Sequence, residues 1–307
     1  MKILASRRFP GPAWDELDDV EYLPAALPGG TTAREDVEAL AVVGERIDDQ
    51  TLDLFPNLRI VANYGAGYDS VDVQALAARG VPLTNTPGVL TAATADLAFA
   101  LLLAVRRRVV AGDRAVREGR WRGGWADPDF LGRDASGSTL GIVGLGRIGR
   151  AVAHRAEAFD MRVLHNSRTG DEEGWRELDE LLAEADAVSL HVPLTNETRR
   201  LLDARRLALL RDGACLVNTA RGQIVDEDAL VRELVSGRIE AGLDVFAHEP
   251  AVPSELLGLP NVVLTPHIGS ATTETREAMT RVLVDNLLAA ARGETPPNLV
   301  YPDAEAP

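Results

Sequence analysis

Residues 139–159 read TLGIVGLGRIGRAVAHRAEAF. An apolar run ends at Val143, glycines follow at Gly144, Gly146 and Gly149, and a helical pattern begins at once. Strand, glycine turn and helix in that order are the setting in which G-x-G-x-x-G binds a dinucleotide. Gly144 permits the tight turn, Gly146 lets backbone approach a pyrophosphate, and Gly149 lets the helix pack close to the sheet. The amides of Arg147 and Ile148 would face the phosphates, with the positive end of the helix dipole behind them. A turn that only tightens packing is the plainer reading, and the flanking strand and helix argue against it.

Outward from this motif, short β-rich runs alternate with helical patterns, which argues for parallel sheets covered by helices. The series after Thr139 has runs at 140–143, 162–165, 187–191, 214–218, 242–245 and 262–265. Six strands with crossover helices are the element count of a dinucleotide-binding domain. The earlier series, at 2–5, 20–23, 41–43, 59–62 and 82–85, forms a smaller doubly wound domain. Helices are expected over 32–40, 71–79, 91–118, 226–236 (with Asp226 as N-cap) and 272–292. A loop rich in Trp, Gly and Asp occupies 119–138.

The chain has 307 residues, and at about 150 residues per domain that suggests two domains. With 46% hydrophobic and 26% charged residues it can build real cores, which excludes disorder as the main state. The longest apolar run, at 97–105, is half a membrane span and is stopped by Arg106, Arg107 and Arg108. The first residues carry too short an apolar stretch before Arg7 and Arg8 for a secretory signal. Cys215 is the only cysteine, so no intrachain disulfide forms and a reducing cytoplasm is expected. The net charge of −15 would repel a phosphate backbone, which argues against nucleic acid as a partner. Lys2 is the only lysine among 32 basic residues, a bias attributed to genome composition.

The end of the second strand of this domain is where cofactors are told apart. An acidic residue there would accept the ribose 2′-hydroxyl of NAD. The sequence instead runs His165-Asn166-Ser167-Arg168-Thr169, without a carboxylate. Ser167, Arg168 and Thr169 would hydrogen-bond and neutralise a 2′-phosphate, so NADP(H) is the preferred cofactor and NAD(H) the alternative. Asp171 folding back would restore NAD binding, and Arg168 as a solvated turn residue is the bland reading.

Three later segments end apolar strands in polar residues, where ligands sit in such folds. CLVNTARG supplies Arg221, GLDVFAHEP supplies Asp244 and Glu249, and VVLTPHIGS supplies His267 and Gly269. One guanidinium, one carboxylate and one imidazole suit reduction of a 2-oxo acid. Arg221 would hold the substrate carboxylate and polarise the ketone. His267 would donate a proton to the oxygen as hydride reaches the carbon. Glu249, on the other ring nitrogen, would fix the tautomer and favour the imidazolium. Asp244 is expected to hold the nicotinamide amide. Taken singly, a His after Thr-Pro or an Arg before Gly is an ordinary loop residue or cap. No spacing resembles a metal site, no G-x-S-x-G elbow occurs, and Cys215 lies within an apolar strand.

The stretches ANYGAGYDSVD, TNTPGVLTAATADLAFALLL, TLGIVGLGRIGRAVA, SLHVPLTNETRRLL, VNTARGQIVDEDALVREL, AGLDVFAHEP and LTPHIGSAT resemble, in that order, the D-isomer-specific 2-hydroxyacid dehydrogenase family. The run VLTAATADLAFALLLAVRRRV, the loop REGRWRGGWADPDFLGRD at 117–134 and the strand end HNSRT are most similar to its glyoxylate/hydroxypyruvate reductases. The resemblance implies an α/β protein of two doubly wound parallel-sheet domains. A Rossmann dinucleotide-binding domain would span 98–285, and a discontinuous flavodoxin-like substrate domain 1–97 plus 286–307, with the active site in the cleft. It implies that Arg221, Glu249 and His267 are catalytic. It also implies that Gly65, Ala66 and Gly67 grip the substrate carboxylate, and that Pro193, Thr219, Asp244 and Gly269 lie near the nicotinamide or ribose. Similar members are homodimers that pair through the helix from Thr91 and the arm after it. In them Trp125 would reach the neighbouring subunit's site; plain interface packing of Trp121 and Trp125 is the alternative.

The expected function is reduction of small 2-oxo acids, glyoxylate and hydroxypyruvate, to D-2-hydroxy acids. A different 2-oxo acid, phosphohydroxypyruvate or pyruvate, is the second reading, with Arg7 and Arg8 as candidate phosphate partners. A dinucleotide-sensing protein resembling transcriptional corepressors is the third, and the full catalytic set argues against it.

Overall fold

The computed structural model describes residues 1–23, 33–123, 130–170 and 172–301. The chain divides into two compact units, Met1–Leu90 with Ser270–Pro307, and Thr91–Gly269.

In the first unit, β1 (Ile3–Ala5), β2 (Val20–Tyr22), β3 (Ala39–Val42), β4 (Ile60–Asn63) and β5 (Leu83–Thr84) are parallel, in the order β5-β4-β3-β1-β2. Every residue of β3 and β4 is buried. Their unbroken apolar runs follow from a sheet covered on both faces. Helices α1 (Asp49–Leu52) and α2 (Val73–Ala78) start at Asp48 and Asp72, whose carboxylates accept from the amides of Thr51 and Ala75. The helix expected over 32–40 does not form in its described part. Residues 33–38 run without helix into β3, because the buried ALAV segment pairs with β1 and β4. Pairing on both edges outweighs a short helical pattern.

The second unit begins with α3 (Thr91–Arg106) and α4 (Val109–Arg117). A single helix over 91–118 was the expectation, and the chain breaks it at Arg107 and Arg108. The Arg106 carbonyl accepts from the amide of Arg133 at 2.7 Å, so the returning chain takes the acceptor that the next helical turn needs. Arg108 turns left-handed at φ 52°. The sheet follows, with β6 (Thr139–Val143), α5 (Arg147–Glu157), β7 (Arg162–Asn166), α6 (Leu178–Glu184), β8 (Ala187–Leu190), α7 (Ala204–Leu207), β9 (Cys215–Asn218), α8 (Glu227–Val235), β10 (Glu240–Leu243) and β11 (Val262–Leu264). All six strands are parallel in the order β7-β6-β8-β9-β10-β11. The direction of winding reverses between β6 and β8, and ligands of open α/β sheets bind at such a switch point. One face is sealed by α3 and α5 around Leu102, Ile142, Val152 and Val217, the other by Leu181, Leu216, Leu230 and Leu234.

The chain returns to the first unit as α9 (Thr273–Ala291), capped by the Thr272 hydroxyl, and β12 (Leu299–Val300), antiparallel to β5. The units divide at 90/91 and 269/270, not at the expected 97/98 and 285/286. Each long helix packs as a whole on one body: α3 on β9, β10, β11 and α5, and α9 on β4 and the short turn Pro12–Glu16. Among the described residues no helix is long and apolar enough to cross a membrane.

Candidate active site

The glycines of the β6–α5 turn are required for different reasons. Gly144 has φ +97°, and a Cβ there would lie 2.6 Å from the His191 carbonyl oxygen. A Cβ on Gly149 would lie 2.1 Å from the carbonyl oxygen of Gly144. Gly146 has φ −79°, open to any residue, and a Cβ there meets nothing within 4 Å. Neither strain nor internal packing demands glycine at 146, and the bare backbone there leaves open space for a guest. As N-cap of α5 it offers no side chain to the first amides, which include those of Arg147 and Ile148. The cradle therefore fits a dinucleotide pyrophosphate.

At the end of β7 the side chain of Asn166 donates to the Arg176 carbonyl at 2.9 Å, and Ser167, Arg168 and Thr169 follow on a loop. His165, buried behind it, faces the Glu173 carbonyl with Nε2 at 3.3 Å and the Ser167 hydroxyl with Nδ1 at 3.4 Å. A carbonyl only accepts, so Nε2 carries the proton and the hydroxyl donates inward to Nδ1. Arg168 and Thr169 are the exposed members of the cluster. Glu172, the nearest described carboxylate along the chain, is held by Arg150 through both of its oxygens. Asp171 lies outside the described residues.

Beyond β8, Pro193 receives the Thr198 hydroxyl on its carbonyl. The His191 ring is linked to the Ser189 hydroxyl at 2.8 Å, and burial pushes its pKa down to about 4, so it stays neutral. The Thr219 hydroxyl, just past β9, is buried with no hydrogen-bond partner among the described residues. A polar atom left so is costly unless a ligand or water completes it.

Arg221, Glu249 and His267 leave the carboxyl ends of three adjacent strands, β9, β10 and β11. Asn218 shapes the first turn, accepting from the amide of Ala220 at 3.0 Å and donating to the carbonyl of Arg221 at 2.8 Å. Gly222 lies so close to the next loop that a Cβ would sit 2.0 Å from the Phe246 carbonyl carbon. Gln223 donates to the Ala247 carbonyl, and Glu227 accepts from the Ala247 amide, both at 2.8 Å. The loops carrying Arg221 and Glu249 are thus locked together.

Glu249 spans to the third loop. One oxygen accepts from the Phe246 amide at 3.0 Å and the other meets His267 Nδ1 at 2.7 Å. Burial pulls the Glu249 carboxyl upward, but the hydrogen bonds from His267 and Phe246, with the charges of His267 and Arg221, outweigh it and hold the pKa below the ordinary range. The His267 side chain is half-exposed, and with Nδ1 committed to Glu249 its Nε2 is the nitrogen left for substrate.

Asp244, expected to hold the nicotinamide amide, is engaged within the protein itself. It is fully buried, and its oxygens accept from the Thr265 hydroxyl at 2.6 Å and from the amides of Ile268 and Gly269, both at 2.8 Å. Its own carbonyl takes the His267 amide at 2.9 Å. His267 adopts φ +53°, a left-handed conformation that a non-glycine residue holds only under such constraint. Asn218, Gln223, Glu227 and this work of Asp244 escaped sequence reading; only an Asn closing a strand ahead of small residues carried a turn signal.

In the first unit, Gly65–Ala66–Gly67 follow β4. Their carbonyls are tied down by Asn63, which donates to Gly65 at 3.2 Å and Gly67 at 2.9 Å, and by Asn85, which donates to Ala66 at 2.8 Å. Trp125 lies outside the described residues. Among the described residues no cluster of His, Cys, Asp and Glu is arranged to hold a metal.

An imidazole aimed for proton exchange, on the sheet that also carries a dinucleotide cradle, is the equipment of an oxidoreductase that moves hydride and proton together. The chain belongs to the D-isomer specific 2-hydroxyacid dehydrogenase family, and residues 99–269 match its NAD binding domain. It is 53% identical over 278 residues to a glyoxylate reductase of Pyrococcus horikoshii, covering 87% of this chain and 83% of that protein. To one from Thermococcus litoralis it is 49% identical over 294 residues, 91% of this chain and 89% of that protein. Among solved structures, an NADPH-dependent glyoxylate/hydroxypyruvate reductase from Sinorhizobium meliloti, in complex with NADP and malonate, superposes with TM-score 0.89 at 38% identity, covering 97% of this chain and 96% of that one. A Thermus thermophilus protein superposes with TM-score 0.90 at 47% identity, covering 98% of this chain and all of that one.

Proposed function

We propose that this chain reduces glyoxylate to glycolate and hydroxypyruvate to D-glycerate, using NADPH in preference to NADH. The observation that carries the reading is the 2.7 Å contact between His267 Nδ1 and Glu249. A carboxylate on one ring nitrogen stabilises the imidazolium and aims the other at the substrate. The nicotinamide, when bound, supplies hydride to the carbonyl carbon. His267 gives its Nε2 proton to the carbonyl oxygen, and Glu249 keeps the ring oriented through the transfer. Arg221 offers a planar fork to the substrate carboxylate and withdraws charge from the ketone. Asp244 keeps the His267 turn in place, and with three side-chain bonds accepted it retains one acceptor position toward the cofactor.

The NADPH preference rests on the β7 end. Residues 162–170 contain no carboxylate, Arg168 and Thr169 are exposed there, and Glu172 is neutralised by Arg150. The glyoxylate reductases of Pyrococcus horikoshii and Thermococcus litoralis support glyoxylate as substrate, and the NADPH-dependent glyoxylate/hydroxypyruvate reductase of Sinorhizobium meliloti supports both substrates and the cofactor. Phosphohydroxypyruvate, the second reading, would call on Arg7 and Arg8, of which Arg8 pairs with Asp15 at 2.6 Å at the surface. We further propose a cytoplasmic homodimer. Val109, Val110 and Val116 on α4, with Trp121 and Leu131 beyond it, expose apolar surface that a second copy would cover. Cys215, buried and unbridged, suits a reducing compartment.

The test follows loss of NADPH or NADH with glyoxylate, hydroxypyruvate, pyruvate and phosphohydroxypyruvate. Faster turnover of the first two, with the higher kcat/KM for NADPH, is expected. No turnover of glyoxylate with either nucleotide would overturn the reading.

A further inference from the structure

The loop carrying Ser167, Arg168 and Thr169 leaves β7 and closes at Gly170, and one indole holds both of its ends. Trp175 Nε1 donates to the Ser167 carbonyl at 3.0 Å. Its ring lies against Gly170, where a Cβ would sit 3.3 Å from Cε2 and where φ is +62°. Only glycine turns there freely and still leaves the indole room.

The indole is itself well fixed. Residues 174–176 run beside β7: the His165 amide donates to the Gly174 carbonyl at 3.0 Å and the Arg176 amide to the His165 carbonyl at 2.9 Å. The Asn166 side chain adds a third bond, to the Arg176 carbonyl at 2.9 Å. The Trp175 backbone is thus registered on the strand while its side chain reaches over the loop.

We propose that Trp175 is a positioning residue for cofactor selection: by pinning the Ser167 carbonyl and bracing Gly170, it holds Arg168 and Thr169 in the conformation that receives a 2′-phosphate. The inference rests on the NADPH preference proposed above. NADH lacks that phosphate and does not draw on the fixed loop. An indole N–H donates a single hydrogen bond, so Trp175→Phe removes the anchor at Ser167 and keeps an aromatic ring against Gly170.

The experiment measures kcat/KM for NADPH and for NADH with saturating glyoxylate, in the full-length wild type and in Trp175→Phe, with melting temperatures alongside. Loss of one orienting hydrogen bond should lower the NADPH-to-NADH ratio about three- to tenfold, through the KM for NADPH, with kcat and the NADH values unchanged. A purely structural role would lower the melting temperature and weaken both nucleotides together, leaving the ratio fixed; that result overturns the inference. A double variant supplies a second check. Because Trp175 acts through the loop, adding Trp175→Phe to Arg168→Ala should cost little more than Arg168→Ala alone, whereas full additivity overturns it. If Trp175→Phe fails to fold, Gly170→Ala perturbs the same brace and should lower the ratio likewise; an unchanged ratio there also overturns it. A wild type without NADPH preference removes the parent reading, while a preference that survives Trp175→Phe sinks only the role of the indole.

Discussion

Replacing Gly146 by alanine separates the fold from its cofactor. The backbone at 146 has φ −79°, and a Cβ there meets nothing within 4 Å, so the added methyl strains nothing in the protein itself. Alanine is a poorer N-cap than glycine by up to about 1 kcal/mol, and the stiffer unfolded chain returns about 0.4–1 kcal/mol. The two nearly cancel, and since 1 kcal/mol corresponds to about 2–4 °C in a chain of about 200 residues, the melting temperature should stay within about 4 °C. Binding is another matter. A methyl where the pyrophosphate meets the backbone displaces it by about 1 Å, which costs about 10–100-fold in affinity. Calorimetric titration with NADPH and NADH, paired with scanning calorimetry, reads both quantities. Gly149→Ala is the contrast: its Cβ would lie 2.1 Å from the Gly144 carbonyl oxygen, so stability itself should fall. Wild-type nucleotide affinity in Gly146→Ala would refute the assignment of this turn as the phosphate cradle.

Three further outcomes are expected. His267→Ala should lower turnover about 10²–10⁴-fold while nucleotide affinity stays the same; wild-type turnover would remove it as proton donor. Arg168→Ala should raise the KM for NADPH more than that for NADH, and equal losses would exclude a 2′-phosphate contact. The pKa of Glu249 is depressed in the folded chain, so its contribution to stability is complete above the unfolded value, near the ordinary 4.5, and is lost as pH falls through the lower folded value. Glu249→Gln should therefore flatten the acid-side fall in melting temperature below about pH 4.5; identical profiles would contradict the pairing with His267.

Much of this architecture was readable because it is written in local chemistry. Asp226 and Thr272 cap the helices they were expected to start or precede, and the glycine turn announces both its strand and its helix. The three catalytic candidates stood out as polar residues ending apolar runs, which parallel strands translate into one row of loops. Where reading failed, the deciding force came from distant parts of the chain. The segment 32–40 carries a helical pattern, yet β1 and β4 claim its apolar end. The helix from Thr91 breaks because Arg133, far along the sequence, takes the Arg106 carbonyl. The bracing bonds of Asp244 were not legible, because its charge is visible in sequence but its partners Thr265, Ile268 and Gly269 are not.

The inward-facing carboxylate of Asp244 has an implication for re-engineering. It braces the turn that carries His267 from the protein interior, so the proposed proton donor is sighted before any guest arrives, and no docking energy is diverted to aligning it. Designers seeking bulkier keto acids can leave that scaffold untouched and remodel other walls. Disturbing residue 244 would instead blunt every reaction at once, whatever acid is offered.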